Sequence, residues 1–219
     1  MKEFAILIPA RGGSKRIPNK NIVELAGRPL IEYSIEESLK VTKNVYVSTD
    51  CPNIKKVCDK YKDVKIVHRP MKLAEDDSTT NSVIEHFLEN HKVGIFALVQ
   101  ATSPLLKSFY LKEGFNKFKK GVYDTVISAN KTVEFYWRQD GTPLNFDLSN
   151  KKRTQDIEDW FVENGAFYIT TKDSFYKRNN LIGDKVAFIE MPKIDSIDID
   201  NYDDLEMAES IIFYRKEKE

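Results

Sequence analysis

The stretch FAILIPARGGSKRIPNKN, Phe4 to Asn21, decides the fold class, because it carries an apolar run straight into a basic, glycine-containing loop. Phe4 to Ile8 is short and continuously apolar, the pattern of a parallel strand covered on both faces, and Pro29 then opens a helix-like run. Between them Arg11, Lys15, Arg16 and Lys20 gather with no acid among them. Strand, basic loop and helix together frame a polyanion cradle. Gly12 and Gly13 let backbone N–H groups approach phosphate oxygens, and the cationic side chains neutralise charge that amides alone cannot. Neither the Walker A spacing nor the G-x-G-x-x-G fingerprint is present. Four clustered Lys/Arg residues are ordinarily a solvated loop. Position shifts the reading toward a site, since open α/β sheets bind ligands outside the carboxyl ends of their strands.

Working outward, β-type runs recur at Phe4 to Ile8, Val45 to Val47, Val64 to Val67, Ile95 to Val99 and Thr125 to Ser128. Helical patterns alternate with them at Leu30 to Val41, Ile54 to Tyr61, Ser82 to Glu89 and Leu111 to Phe118. This alternation predicts crossover helices and a mainly parallel twisted sheet. From Lys131 to Trp160 the rhythm breaks, with turn signals at Asp140-Gly141 and Pro143 and aromatics at Phe135, Tyr136 and Trp137. That segment reads as a projecting arm, about 131–160, whose aromatics serve either a dimer contact or core packing. Strands return at Ala166 to Thr170 and Val186 to Glu190, and a helix from about Asp203 closes the sequence.

At 219 residues the expectation is one α/β domain, 1–219. Lys+Arg and Asp+Glu both number 34, so no bulk field favours nucleic acid or an anionic membrane, and neither is expected as a partner. No stretch approaches the roughly 20 apolar residues of a membrane span, and the first residues are not expected to form a signal peptide. A soluble, cytoplasmic protein is expected. Cys51 and Cys58 fit neither a zinc nor a redox motif, and His68, His86 and His91 lack metal-pair spacing.

The acidic counterpart of the basic loop runs from Asp195 to Glu209, with seven acids and no Lys or Arg. In SIDID, Ser196 to Asp200, Asp198 and Asp200 are two apart. On extended backbone both carboxylates share a face while Ile197 and Ile199 turn inward. Two like charges held together call for a cation, and oxygen-only ligation suits Mg²⁺. The competing reading is a helix cap made by Asp200 or Asn201, with Asp203 and Asp204 favouring the helix N-terminus. Gln100-Ala-Thr-Ser-Pro104 ends the fourth apolar strand, and Arg69-Pro70 ends the third, where a ligand crevice is expected.

Taken in order, the blocks IPARGGSKRIPNKN, VSTD, RPMKLAEDDSTT, QATSP, RTQD, ENGAFYIT and SIDID resemble those of the N-acylneuraminate cytidylyltransferases, the CMP-sialic acid synthetases. The resemblance implies a Rossmann-like nucleotidyltransferase that joins CTP to a nonulosonic acid, forming CMP-sugar and pyrophosphate, with an arm that makes a homodimer. It implies CTP binding by Arg11, Gly12, Ser14, Lys20, Asn21, Arg69, Ser78 and Thr80. Gln100, Gln155 and Tyr168 would contact the sugar, and Arg11, Lys20, Arg153 and Asp200 would carry catalysis. Asp198 and Asp200 would hold Mg²⁺. The QATSP and ENGAFY forms resemble the sialic acid branch, with N-acetylneuraminic acid as acceptor; legionaminic acid, KDN and KDO are the alternatives. The chain departs from the family at Arg16, where Gly is frequent, and at Ala101, where Pro is frequent.

Overall fold

In the computed structural model, residues 4–156 and 159–218 are described. Lys2 and Glu3, and residues 157 and 158 of the expected arm, lie outside them. The apolar run forms β1 (Phe4–Pro9). After the basic loop a tight hairpin, β2 (Glu24–Leu25) and β3 (Arg28–Pro29), turns through Ala26 and Gly27 at positive φ. Pro29 precedes α1 (Leu30–Leu39). There follow β4 (Val45–Thr49), α2 (Pro52–Cys58), β5 (Val64–His68), α3 (Thr80–Asn90), β6 (Ile95–Val99) and α4 (Ser108–Phe118). The chain closes through β7 (Thr125–Thr132), β8 (Trp160–Thr171), α5 (Lys172–Arg178), β9 (Val186–Glu190) and α6 (Tyr202–Lys216).

Seven strands make one sheet in the order β5-β4-β1-β6-β8-β7-β9. Every pairing is parallel except those of β8, which runs antiparallel to both β6 and β7. The mainly parallel expectation therefore holds, with one strand reversed. Among the described residues no crossover helix lies between β7 and β8, so the second strand returns beside the first as a long hairpin. From β1 the chain winds outward to β4 and β5, then crosses back to β6 on the other side of β1. That reversal is the topological switch point, and a ligand crevice belongs at the carboxyl ends of β1 and β6.

Strand alternation divides the core into two layers. Ile6, Ile8, Ala97 and Val99 face α1, α2 and α4 through Ile31, Ile35, Ile54 and Leu111. Ala5, Leu7, Phe96 and Leu98 face α3 and α5 through Ile84, Phe87, Leu88 and Phe175. A third apolar cluster matters most for function. Ile17 of the basic loop, Leu25, Leu30 and Leu105 pack with Ile199 and with Ala208 and Ile212 of α6. The two most distant sequence motifs are thereby fastened to one small core.

Beyond an irregularity at Ile127/Ala129, β7 and β8 stay paired from Ala129–Glu163 out to Thr132–Trp160. The intervening segment carries a ring cluster: Phe146 lies 4.9 Å from both Phe135 and Trp137, and Lys151 sits over Phe135 at 4.4 Å. Trp137, Leu144, Leu148, Trp160, Phe161 and Val162 are exposed. Among the described residues no helix is long and apolar enough to cross a membrane. Both cysteines are free thiols, and burial pushes Cys58 up to about 12, which leaves it inert. His91 packs against the rings of Tyr46 and Phe87.

Candidate functional site

At the switch point lies a cleft of about 460 Å³. Arg11, Ser14, Lys20, Asn21, Arg69, Ser78, Thr80, Gln100 and Asp200 all line it, so nine of the site residues expected from the sequence converge there. Lys15 and Arg16 join them.

The basic loop is shaped by its own backbone. Asn21 is buried and donates its amide to Arg11 O at 2.9 Å, closing the loop on itself. Gly12 donates its N–H to Asp50 Oδ1 at 3.0 Å, and a Cβ there would stand 2.9 Å from Cys51 Cβ. Close packing against the end of β4 is thus what requires glycine at 12, and its N–H is engaged within the protein. Gly13 has open space around it.

Arg69 is 4% exposed, and its guanidinium donates to Ser48 O at 2.8 Å and to Ser48 Oγ at 3.2 Å. Burial lowers it to about 10; Asp50 opposes the shift and Arg11 adds to it. It stays cationic at neutral pH, a buried charge at the cleft wall. Ser78 donates its hydroxyl to Lys72 O at 2.7 Å, and Thr79 caps α3 by accepting from Ser82 N, which sets Thr80 at the first turn.

The loop's four cations meet carboxylates in two pairs. Arg11 Nη2 and Lys15 Nζ contact the two oxygens of Asp76 at 3.0 and 2.5 Å. Arg16 Nη1 and Lys20 Nζ contact those of Asp200 at 2.7 and 3.2 Å. Lys20 also donates to Ile199 O at 2.8 Å, so it bridges the basic loop to the SIDID segment. Burial tends to raise Asp200, but Arg16 and Lys20 outweigh it and hold the carboxyl below its ordinary range.

Asn201 caps α6: its side chain accepts from Asp204 N, and Asp204 Oδ2 accepts from Asn201 N and Asp200 N. The carboxylates of Asp198 and Asp200 are therefore free of capping duty. Ile199 is fully buried, as the alternation predicts, although residues 197–200 form no sheet strand, and Ile199 N donates to Thr102 O at 2.8 Å. Asp198 is exposed to solvent, although neighbouring protein surrounds its carboxyl. Enclosure by protein raises its carboxyl, Asp200 and Asp204 push the same way, and a Thr102 hydrogen bond and Lys20 pull against them.

Five expected residues are not among those that line this cleft: Gly12 and Asp198, described above, and Tyr168, Arg153 and Gln155. Tyr168 lies on β8 beside Leu98 of β6 and donates its hydroxyl to Glu163; burial and that carboxylate hold its proton on. Arg153 and Gln155 lie on the exposed turn of the arm, where Arg153 pairs with Asp156 at 2.7 Å. Within this chain they do not line the cleft; they lie between β7 and β8, beyond the last paired residues Thr132 and Trp160. Asp50 escaped assignment from the sequence, although it follows the carboxyl end of β4, the one signal that marks it. Asp76 opens the polar run Asp76 to Thr80, which from the sequence either touches a base and ribose or caps the next helix; in the structure Thr79 makes that cap and Asp76 pairs with Arg11 and Lys15.

An open, doubly wound sheet with a basic cleft at its switch point defines a Rossmann-like α/β protein. The chain belongs to the cytidylyltransferase family, whose model matches residues 5–218. It is 37% identical over 218 residues to the N-acylneuraminate cytidylyltransferase of Oncorhynchus mykiss, covering 95% of this chain and 50% of that one. The Streptococcus agalactiae serotype III protein of the same name is 30% identical over 215 residues, covering 93% and 52%. This chain therefore spans about half the length of these curated relatives. The pseudaminic acid cytidylyltransferase of Campylobacter jejuni serotype O:2 is 32% identical over 221 residues, covering 95% of each. Among solved structures, a CMP:2-keto-3-deoxy-manno-octonic acid synthetase complexed with CTP is similar in fold, with a TM-score of 0.73 at 15% identity covering 97% and 99%.

Proposed function

We propose that this chain transfers CMP from CTP to the anomeric hydroxyl of a nonulosonic acid, N-acetylneuraminic acid, and releases pyrophosphate. The observation that carries the proposal is the convergence of Lys20 and Arg16 with Asp200 beside Asp198, at the switch point of a cytidylyltransferase-family fold. A binding module that only held an anion would gain nothing from paired carboxylates, which repel it. Attack on the α-phosphorus brings an oxygen nucleophile to an anion and expels another. Catalysis then rests on orientation and on neutralising charge as it develops. Arg11, Lys15, Arg16 and Lys20 supply that neutralisation along the triphosphate, with Asn21 holding the loop and Arg69, Ser78 and Thr80 on the nucleoside side. Gln100 and Tyr168 flank the neighbouring acceptor position on β6 and β8.

The oxygen-only pair Asp198 and Asp200 suits Mg²⁺; burial first, and then Asp200 and Asp204, raise the carboxyl of Asp198, and a cation there would offset that cost. Bound there, Mg²⁺ would neutralise phosphate oxygens. The acceptor reading rests on the QATSP and ENGAFY segments and on the N-acylneuraminate relatives, with the pseudaminic acid relative making that sugar the necessary comparison. A cytoplasmic setting agrees with two free thiols. Pyrophosphate release from CTP, assayed with these sugars, tests the proposal.

We further propose that the arm, about 131–160, makes a homodimer and carries Arg153 and Gln155 toward the partner's acceptor site. Its exposed Trp137, Leu144 and Leu148, and an exposed Phe161 stacked 4.8 Å from Phe188, support an isologous contact. Light scattering is expected to give a dimer at micromolar concentration. Replacing residues 134–158 with a short turn should give a folded monomer that binds CTP but transfers CMP poorly. A fully active native monomer would exclude this arrangement.

A further inference from the structure

We propose that Asp76 is a built-in counter-anion: it holds Arg11 and Lys15 in position before a polyphosphate binds and is exchanged for the polyphosphate on binding. This rests on the polyphosphate reading of the cleft. Both oxygens of Asp76 are engaged, one by Arg11 at 3.0 Å and the other by Lys15 at 2.5 Å, so one carboxylate bridges two cations of the loop much as a phosphate would. Asp76 and both cations line the same cleft.

The local geometry makes exchange feasible. Arg11 Nη1 donates separately to Ala74 O at 3.2 Å and Glu75 O at 3.0 Å, so the guanidinium stays tethered to the turn when the carboxylate leaves. The turn itself is fixed independently, by Ser78 donating to Lys72 O and by the Met71–Leu73 turn that precedes it. Asp76 is exposed, and Lys15 more so, so a released carboxylate regains water with little desolvation penalty. A triphosphate carries several negative charges where Asp76 carries one, which decides the competition. The same arrangement keeps two cations from splaying apart by mutual repulsion until a polyphosphate binds.

The test compares wild type, Asp76→Asn and Asp77→Asn by calorimetric titration with inorganic tripolyphosphate and with CTP, at low and high salt. Asp77 is the exposed neighbour and gives the same change in net charge. The expected result is binding by Asp76→Asn roughly three- to tenfold tighter than wild type at low salt, the scale of one or two exposed pairs removed as competitors. The gain should shrink at high salt, and Asp77→Asn should gain less than twofold. Equal gains in the two variants would reduce the effect to general charge and overturn the proposal, as would unchanged or weaker binding by Asp76→Asn. Failure of wild type to bind either ligand would remove the polyphosphate reading itself and this proposal with it, an outcome distinct from binding without a gain.

Discussion

Asp198→Asn and Asp200→Asn are each expected to lower CMP-sugar formation by about 10²-fold or more while the chain melts at nearly its native temperature. The rate estimate is the scale of removing one preorganised charge-stabilising group. The stability expectation follows from the sign of each shift. Asp198 is harder to ionise in the folded chain than in an unfolded one, so its charge at neutral pH opposes folding, and asparagine removes that opposition. Asp200 is half exposed and its pairs with Arg16 and Lys20 are screened, so little folding energy is lost with them. Asn201→Ala is the contrasting variant. It removes the cap of α6, which costs about 0.5–2 kcal/mol, yet touches neither carboxylate. Its melting point should fall while turnover per folded molecule stays near normal. Near-normal activity in both aspartate variants would return those residues to a structural role.

Lys20→Ala and Arg11→Ala are expected to cut kcat/KM for CTP by roughly 10²-fold or more, again with small changes in melting temperature. Lys20 carries the stronger geometric argument, because its ammonium touches Ile199 O and Asp200 at once and is the least exposed of the four loop cations. Its loss removes both a charge from the phosphate side and the tie that holds the SIDID segment to the loop. Arg11 is tethered to the turn before α3 by two backbone carbonyls, so its loss should also loosen the nucleoside side of the cleft. Lys20→Arg keeps the charge but not the compact ammonium, and should recover only part of the loss. Survival of CTP turnover in both alanine variants would leave the loop as a solvated surface.

Much of this is legible in the amino-acid sequence. The strand runs at Phe4, Val45, Val64, Ile95, Thr125, Ala166 and Val186 all became strands of the one sheet, because buried parallel strands advertise themselves as short apolar runs. The helix ends shifted by a few residues, as at α2, where Pro52 sits at the first turn and the helix stops at Cys58. The reversal of β8 was not legible, since an apolar run carries no sign of direction. Nor was α5, whose seven residues bury only Phe175 and leave no sustained period. At the site, residues with a polar type and a place after a strand converged: Arg69, Gln100 and the basic loop. For Asp76 the sequence offers a base or ribose contact or a helix cap, and not its pairing with two cations some sixty residues earlier, a relation that spacing along the chain does not encode. Gly12 was read for its freedom to approach phosphate. The structure gives it a different reason, the 2.9 Å that a Cβ would leave to Cys51.

The most direct measurement is Mg²⁺-dependent pyrophosphate release from CTP, run against a panel of N-acetylneuraminic, legionaminic and pseudaminic acids, KDN and KDO, with CMP-sugar formation followed in parallel. Release that requires CTP, Mg²⁺ and a nonulosonic acid together, highest with N-acetylneuraminic acid and matched one for one by CMP-sugar, is the expected result. No release with any sugar of the panel, from a folded protein at saturating CTP and Mg²⁺, would contradict it.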